Sequence, residues 1–290
     1  MAFAIVNIIS FPLVSLRSPK TLIIIANFYD IIKGIILAID IGGTKTLIAL
    51  FSKRGRILRR RKFKTAQGSQ TFIRELMNNL SDFTNRKITG VVVAIPGVVQ
   101  KNYSVSFGNR KWDNIDLIAP LKELFDCPIW FENDANLAVL FESFRLPGRT
   151  VFLTFSTGIG GGIAERNRIL PESNRFEPGH KKYWYDGRVR EWEDIAAASA
   201  IENYYHVDWA TDLRKKDAME DVAKRIALGL PDIVKQYKPD SIVLGGPMGK
   251  IFKLYVDYLP DLGVKYRRPK RPNESVVYGC YLYARQKEQE

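Results

Sequence analysis

A chain of 290 residues, 46% of them apolar, carries enough core material for two modest domains and is not the composition of a disordered or fibrous protein. Its two cysteines, Cys127 and Cys280, stand far apart and in no metal spacing, which argues against a disulfide framework or a Cys-based zinc site and for a reducing, cytoplasmic compartment. The net charge of +13 raises the question of nucleic acid, but it is densest in residues 53–64 (KRGRILRRRKFK) and 265–271 (KYRRPKR), beside strand-like segments. Cations guarding a sheet edge are the simpler reading, and a field that gathers an anionic ligand is compatible with it; no specific nucleic acid is expected.

Residues 2–16 (AFAIVNIISFPLVSL) and 21–36 are strongly apolar but are separated by Arg17, Ser18, Pro19 and Lys20. Neither reaches the uninterrupted run of ~20 residues that spans a bilayer. Neither has the basic start and small-residue cleavage site of a signal peptide. Residues 1–34 are expected to be a dispensable extension or the product of a start assigned too early, with a membrane contact as the remaining option.

The next segments are orderly. Residues 35–41 (IILAIDI) predict a buried strand, Gly42-Gly43-Thr44 a tight turn, and residues 46–51 and 57–64 two further strands around a turn at Gly55. Residues 69–83 space Phe72, Ile73, Leu76, Leu80 and Phe83 as a helix, with Ser69 as its N-cap. Residues 88–95 (ITGVVVAI) predict a buried strand closed by Pro96-Gly97. Helices follow over 116–125 and 134–144, with a short strand over 128–131. A strand over 150–155 leads through the glycine-rich turn 156–162 to another strand. Helices over 191–205 and 217–237, a strand over 241–244 and a helix over 274–286 complete the chain. The pattern predicts an α/β protein in two lobes, each with a mixed sheet. The expected division is a small lobe of residues 35–131 plus 274–290 and a large lobe of residues 132–273.

Two glycine-rich turns are suited to phosphate. In Asp40-Ile41-Gly42-Gly43-Thr44-Lys45 an acid ends a strand and two glycines let backbone approach a polyanion, although a plain hairpin would use the same residues. Ser156-Thr157-Gly158-Ile159-Gly160-Gly161-Gly162 offers hydroxyls and bare amides without the Gly-Lys-Ser/Thr of a P-loop; a bulge or hairpin is its structural alternative. Asp134 opens a helix, a place where a carboxylate is ordinarily a cap.

The ordered set DIGGTK (40–45), IPGV (95–98), ENDAN (132–136), TGIGGG (157–162), EPGH (177–180) and LGG (244–246) resembles the ROK family of sugar kinases, from about Ile35 to Arg285. The resemblance implies a two-lobed, actin-like ATPase (ribonuclease H-like) fold with a central cleft. It implies transfer of the ATP γ-phosphate to a hexose, with glucose at its C6 hydroxyl in first place and fructose, mannose, N-acetylglucosamine and N-acetylmannosamine as alternatives. On the same grounds Asp134 is the general base, and Gly97, Asn109, Asn133, Asp134, Glu177, His180 and Glu193 are the sugar-binding residues. Asp40, Gly42, Gly43, Thr44, Lys45, Thr157, Gly158, Gly245 and Gly246 are the ATP-binding set, with Asp40 holding Mg²⁺ through water. A homodimer is also implied. Many members carry a cysteine run after the Glu-x-Gly-His motif that binds a structural zinc with that histidine. Here residues 181–191 (KKYWYDGRVRE) contain no cysteine, so no zinc is expected, and Tyr183, Trp184 or Tyr185 is expected to hold the loop by packing. The family also contains sugar-responsive repressors, which makes a regulator without catalysis, or an idle sugar-binding scaffold, the rival reading.

Overall fold

The computed structural model describes residues 34–99, 104–106, 112, 115–206 and 216–290, so the expected extension lies outside the described residues apart from Gly34. Strands β1 (Ile35–Ile41), β2 (Lys45–Phe51) and β3 (Ile57–Lys64) form an antiparallel meander. Helix α1 (Ser69–Leu80) then leads to β4 (Ile88–Ile95), which lies parallel to β1. A small sheet of β5 (Val98–Val99), β6 (Ser104–Ser106) and β7 (Ile115–Asp116) precedes α2 (Ile118–Leu124) and β8 (Ile129–Asn133). The first large sheet has the order β3-β2-β1-β4-β8.

Helix α3 (Asp134–Ser143) carries the chain into a second sheet of the same plan. Its strands are β9 (Arg149–Phe155), β10 (Ile159–Glu165) and β11 (Arg168–Ile169). They are followed by the hairpin β12 (Lys182–Tyr185) and β13 (Arg188–Glu191), then by α4 (Trp192–Ala196), α5 (Ala198–Tyr205), α6 (Lys216–Ala227) and α7 (Leu230–Tyr237). Strand β14 (Ser241–Gly245), the short helices α8 (Gly246–Lys250) and α9 (Phe252–Tyr255), strand β15 (Lys265–Arg267) and helix α10 (Ser275–Lys287) complete the fold. The order β11-β10-β9-β14-β15 repeats the first sheet strand for strand, with two antiparallel pairings on one side of β9 and two parallel ones on the other. The equivalent turns β1–β2 and β9–β10 are the two glycine-rich loops.

β1 reads as a continuous apolar run because both of its faces are covered. Leu37, Ile39 and Ile41 pack with Phe72, Leu76 and Leu80 of α1 and Leu121 of α2. Ile36 and Ala38 meet Val277, Cys280, Tyr281 and Ala284 of α10. Each large side chain so buried contributes about 1.5–3 kcal/mol. The other face of α3 (Ala135, Ala138, Val139) packs on Phe152, Ala164 and Val243 of the second sheet. Helices α3 and α10 therefore stand between the two sheets. They approach so closely at Gly279 that a Cβ there would lie 1.9 Å from the Leu137 carbonyl oxygen.

Both basic runs sit at sheet edges. β3 and β15 are the outer strands. Arg59 and Arg61 pair with Asp82, and Arg60 with Glu274. Several boundaries differ from expectation. Gly68, with extended dihedrals and its carbonyl accepting from Phe72, caps α1 in place of Ser69, and residues 81–83 form a 3₁₀ turn. Helix 116–125 loses its first residues because Asp116 pairs in β7 and turns its carboxylate to the amides of Ile118 and Ala119. Gly160, Gly161 and Gly162 are strand residues, so the second turn is only Ser156-Thr157-Gly158. The helix expected over 191–205 breaks at Ala197, which is extended (φ −60°, ψ 153°). The one expected over 217–237 breaks ahead of Pro231, whose ring cannot continue a helix.

Candidate active site

Asp40 is the last but one residue of β1, paired with Leu47 on one side and Ala94 on the other. In the loop that follows, Gly42 donates to the Lys45 carbonyl (3.1 Å), while Gly43, Thr44 and Lys45 are exposed. Thr65, which the sequence does not single out, supports this loop from beneath. Its amide donates to the Thr44 carbonyl (3.0 Å), and its buried hydroxyl reaches the Gly42 carbonyl (2.8 Å) and the Thr46 hydroxyl (3.0 Å).

Asp134 begins α3, but the cap is the residue before it. Asn133 accepts from the amides of Ala135 (2.9 Å) and Asn136 (3.1 Å), and its side-chain NH₂ donates to the Gly97 carbonyl (3.1 Å). Because Asn133 satisfies the helix terminus, the Asp134 carboxylate is not committed to capping; it accepts from the Ala135 amide (2.7 Å) and from its own amide. Burial pushes its pKa up to about 6; the Ala135 hydrogen bond opposes that rise and the negative charge of Glu177 adds to it. Burial likewise pushes Asp40 up to about 7, helped by the charge of Asp134 and opposed by Lys62. Two partly buried carboxylates that each resist ionisation fit a site completed by a cation, since a divalent ion between them and a polyphosphate would relieve the repulsion.

The second loop lies in the same neighbourhood. Its Ser156 amide donates to the Gly158 carbonyl (2.9 Å), and α5 is tied to it by Ser199, whose amide donates to Ser156 (3.1 Å) and whose hydroxyl donates to Thr157 (2.8 Å). Glu193 reaches this loop too, accepting from the Ile159 amide (3.3 Å). Its carboxylate fills the space beside Gly158, where a Cβ would stand 2.6 Å from Glu193 Oε2. His180 ends a 3₁₀ turn and is close to Glu193 (Nδ1 to Oε1 3.9 Å), and Glu177 is near enough that its charge acts on both His180 and Asp134. Asp134 thus acts by its charge on Asp40, and Glu177 on both Asp134 and His180, while His180 and the second glycine loop are joined through Glu193. An open pocket of about 480 Å³ lies beside it, lined by Thr157, Tyr185, Arg188, Glu193, Ser199 and Asn203 among others.

Gly245 ends β14 and Gly246 begins α8 with φ +68°, where a Cβ would collide with the Phe155 carbonyl at the end of β9. Asn109 lies outside the described residues. Of the three aromatic residues expected to hold the loop after His180, Tyr183 does so, donating to Asp232 (2.9 Å) and meeting Trp192 edge-on. Trp184 does not, being 70% exposed. The hairpin β12–β13 is absent from the sequence-based expectations; its signal is Asp186-Gly187, the pair that a tight hairpin turn with two positive φ values needs (51° and 74°). Glu191, adjacent to His180 in space, carries no motif.

Two five-stranded mixed sheets of identical plan with glycine loops at equivalent turns define the actin-like ATPase fold. A sequence profile of the ROK family matches residues 36–278, and the chain belongs to that family. A β-glucoside kinase of Listeria monocytogenes is 32% identical over 248 residues, covering 73% of this chain and 82% of the relative. A fructokinase of Lactococcus lactis subsp. cremoris is 28% identical over 153 residues, covering 50% of this chain. A xylose repressor of Bacillus spizizenii is 24% identical over 183 residues, covering 54% of this chain. The chain spans about half the length of these last two relatives, 51% and 48%. Among solved structures, a ROK family glucokinase from Streptomyces griseus in complex with glucose and AMPPNP superposes with a TM-score of 0.70 over 87% of this chain and 100% of that one, at 20% identity. At that identity the likeness is one of fold.

Proposed function

We propose that this chain is an ATP-dependent sugar kinase with Asp134 as its general base. The observation that carries the reading is the position of Asp134 at the start of a helix that Asn133 caps, where burial and the charge of Glu177 push its pKa up to about 6 and its own charge acts on Asp40. A sugar hydroxyl is too weak an acid to attack unaided, and a base whose pKa lies near the working pH is suited to taking its proton. As the hydroxyl oxygen bonds to the γ-phosphorus, its proton passes to Asp134 and the bond from that phosphorus to the bridging oxygen breaks, releasing ADP. Mg²⁺ brought with the nucleotide would offset phosphate charge, and Asp40 is the residue to hold it through water. Thr44, Lys45, Thr157 and Gly158 would receive the phosphates, Gly245 and Gly246 the adenosine end, and Asn133, Glu177, His180 and Glu193 the acceptor.

The acceptor assigned first is a hexose phosphorylated at C6, glucose being the reference case; the β-glucoside kinase and fructokinase relatives make a β-glucoside and fructose the leading alternatives. A homodimer acting in the cytoplasm completes the reading. The test is ADP release with glucose, mannose, fructose, N-acetylglucosamine, N-acetylmannosamine and a β-glucoside, repeated with Asp134→Asn. Turnover by the native chain and its loss in the variant support the proposal. Sugar binding without ADP release, in a protein that retards DNA, would move the assignment to a repressor.

A further inference from the structure

A histidine that must present one ring nitrogen to a ligand needs the other one held. Here the Nδ1 of His180 lies 2.9 Å from Glu191 Oε2. The carboxylate is placed by three features. Glu191 is the last residue of β13, in register with Lys182. The next residue, Trp192, is fully buried, packed edge-on against Phe155, with its indole donating to the Arg225 carbonyl (3.0 Å) and its amide to the Lys181 carbonyl (2.8 Å). The hairpin is fastened below by Asp232, which accepts from Tyr183 and pairs with Lys181 (2.9 Å each). Glu191 and Glu193 flank the buried indole, but they are not equivalent. Glu193 spends Oε2 on the Ile159 amide and stands 3.9 Å from the ring, whereas Glu191 is within hydrogen-bonding distance.

We propose that Glu191 is a positioning residue for acceptor recognition, accepting the Nδ1 proton of His180 so that Nε2 is presented to the acceptor. The role is carried by an unremarkable residue of an exposed hairpin, in a stretch without a cysteine. A neutral ring so held has Nε2 as an acceptor for a sugar hydroxyl; a protonated one donates there. In either state the ring plane is set by Glu191. The neighbouring charges that act on the ring are Glu191, Glu193 and Glu177, and its remaining surface is exposed.

The inference rests on the kinase reading for the word acceptor, and its test separates the two. The chain has only two histidines, His180 and His206, so long-range ¹H–¹⁵N spectra of the imidazoles are assigned by a single His206→Asn variant. The native protein is expected to show His180 carrying its proton on Nδ1. Glu191→Gln, whose amide oxygen still accepts, is expected to keep that form, and Glu191→Ala to lose it. In turnover, Glu191→Ala is expected to raise the acceptor KM about tenfold with the ATP KM unchanged, and Glu191→Gln to restore most of it. A His180 tautomer indifferent to Glu191→Ala overturns the inference even if the chain phosphorylates sugars. So does a metal ion found in stoichiometric amount whose removal reproduces the Glu191→Ala phenotype, or a KM for ATP that rises equally. Should no sugar be phosphorylated, the spectra still decide the His180–Glu191 contact, and acceptor binding followed by the same imidazole signals decides its role.

Discussion

Replacing Asp134 by Asn is expected to lower activity by orders of magnitude and to stabilise the protein. Asn keeps an oxygen for the Ala135 amide, 2.7 Å away in the native chain, and removes a carboxylate whose ionised form burial disfavours. The folded-state pKa is about 6 against an ordinary 3.8, and at ~1.4 kcal/mol per pH unit that difference amounts to about 3 kcal/mol of destabilisation once the group is ionised. The sign follows from proton binding. The folded form holds its proton more tightly, so the native chain loses stability relative to the variant as pH rises from 3.8 through about 6, and the whole penalty is present above about pH 7. Urea unfolding at pH 8 should show the variant more stable by about 3 kcal/mol, and the gain should vanish near pH 3.5 to 4. ADP release should fall 10²–10⁴-fold, roughly the effect of losing a general base. A variant that is less stable at pH 8, or that retains more than about a tenth of the native rate, would refute both the environment and the role assigned to this carboxylate.

The kcat/KM for the acceptor should drop about tenfold per pH unit below about 6, because a protonated Asp134 cannot take a proton; a rate independent of pH between 5 and 7 would contradict this. Gly279→Ala should cost about 3 kcal/mol or more and lower the melting temperature by roughly 10 °C, since the new Cβ meets the Leu137 carbonyl, a backbone atom that moves only if α3 and α10 separate. Tyr183→Phe should cost about 1 kcal/mol through the lost bond to Asp232, while Trp184→Ala, two-thirds in solvent, should stay within about 0.5 kcal/mol; equal effects from calorimetry would contradict the assignment of the anchor.

The elements that carry the candidate site were legible because glycine and acid spacings are local properties. The first loop lies between β1 and β2 as its residues require, and Asp134 opens α3 as the helix pattern requires. The breaks in the long helices were not legible in the same way. Ala197 is a good helix former, and it is extended because Ser199 must reach the Ser156 carbonyl across the second loop, a contact 43 residues away in the chain (199 minus 156). Thr65 and Glu191 escaped notice for a related reason: each is an ordinary residue at the end of a strand, made significant by a partner brought to it through folding.

The sequence by itself determined the two sheets, the two glycine turns and the carboxylate between them, since alternation, glycine content and helix starts act over a few residues and leave few choices to the chain. Only the tertiary structure decided that Asn133 and not Asp134 caps α3, which carboxylate lies against His180, and how strongly Asp40 and Asp134 resist ionisation. Those depend on burial and on charges contributed by separate elements. Neither quantity exists until the sheets have closed around α3 and α10.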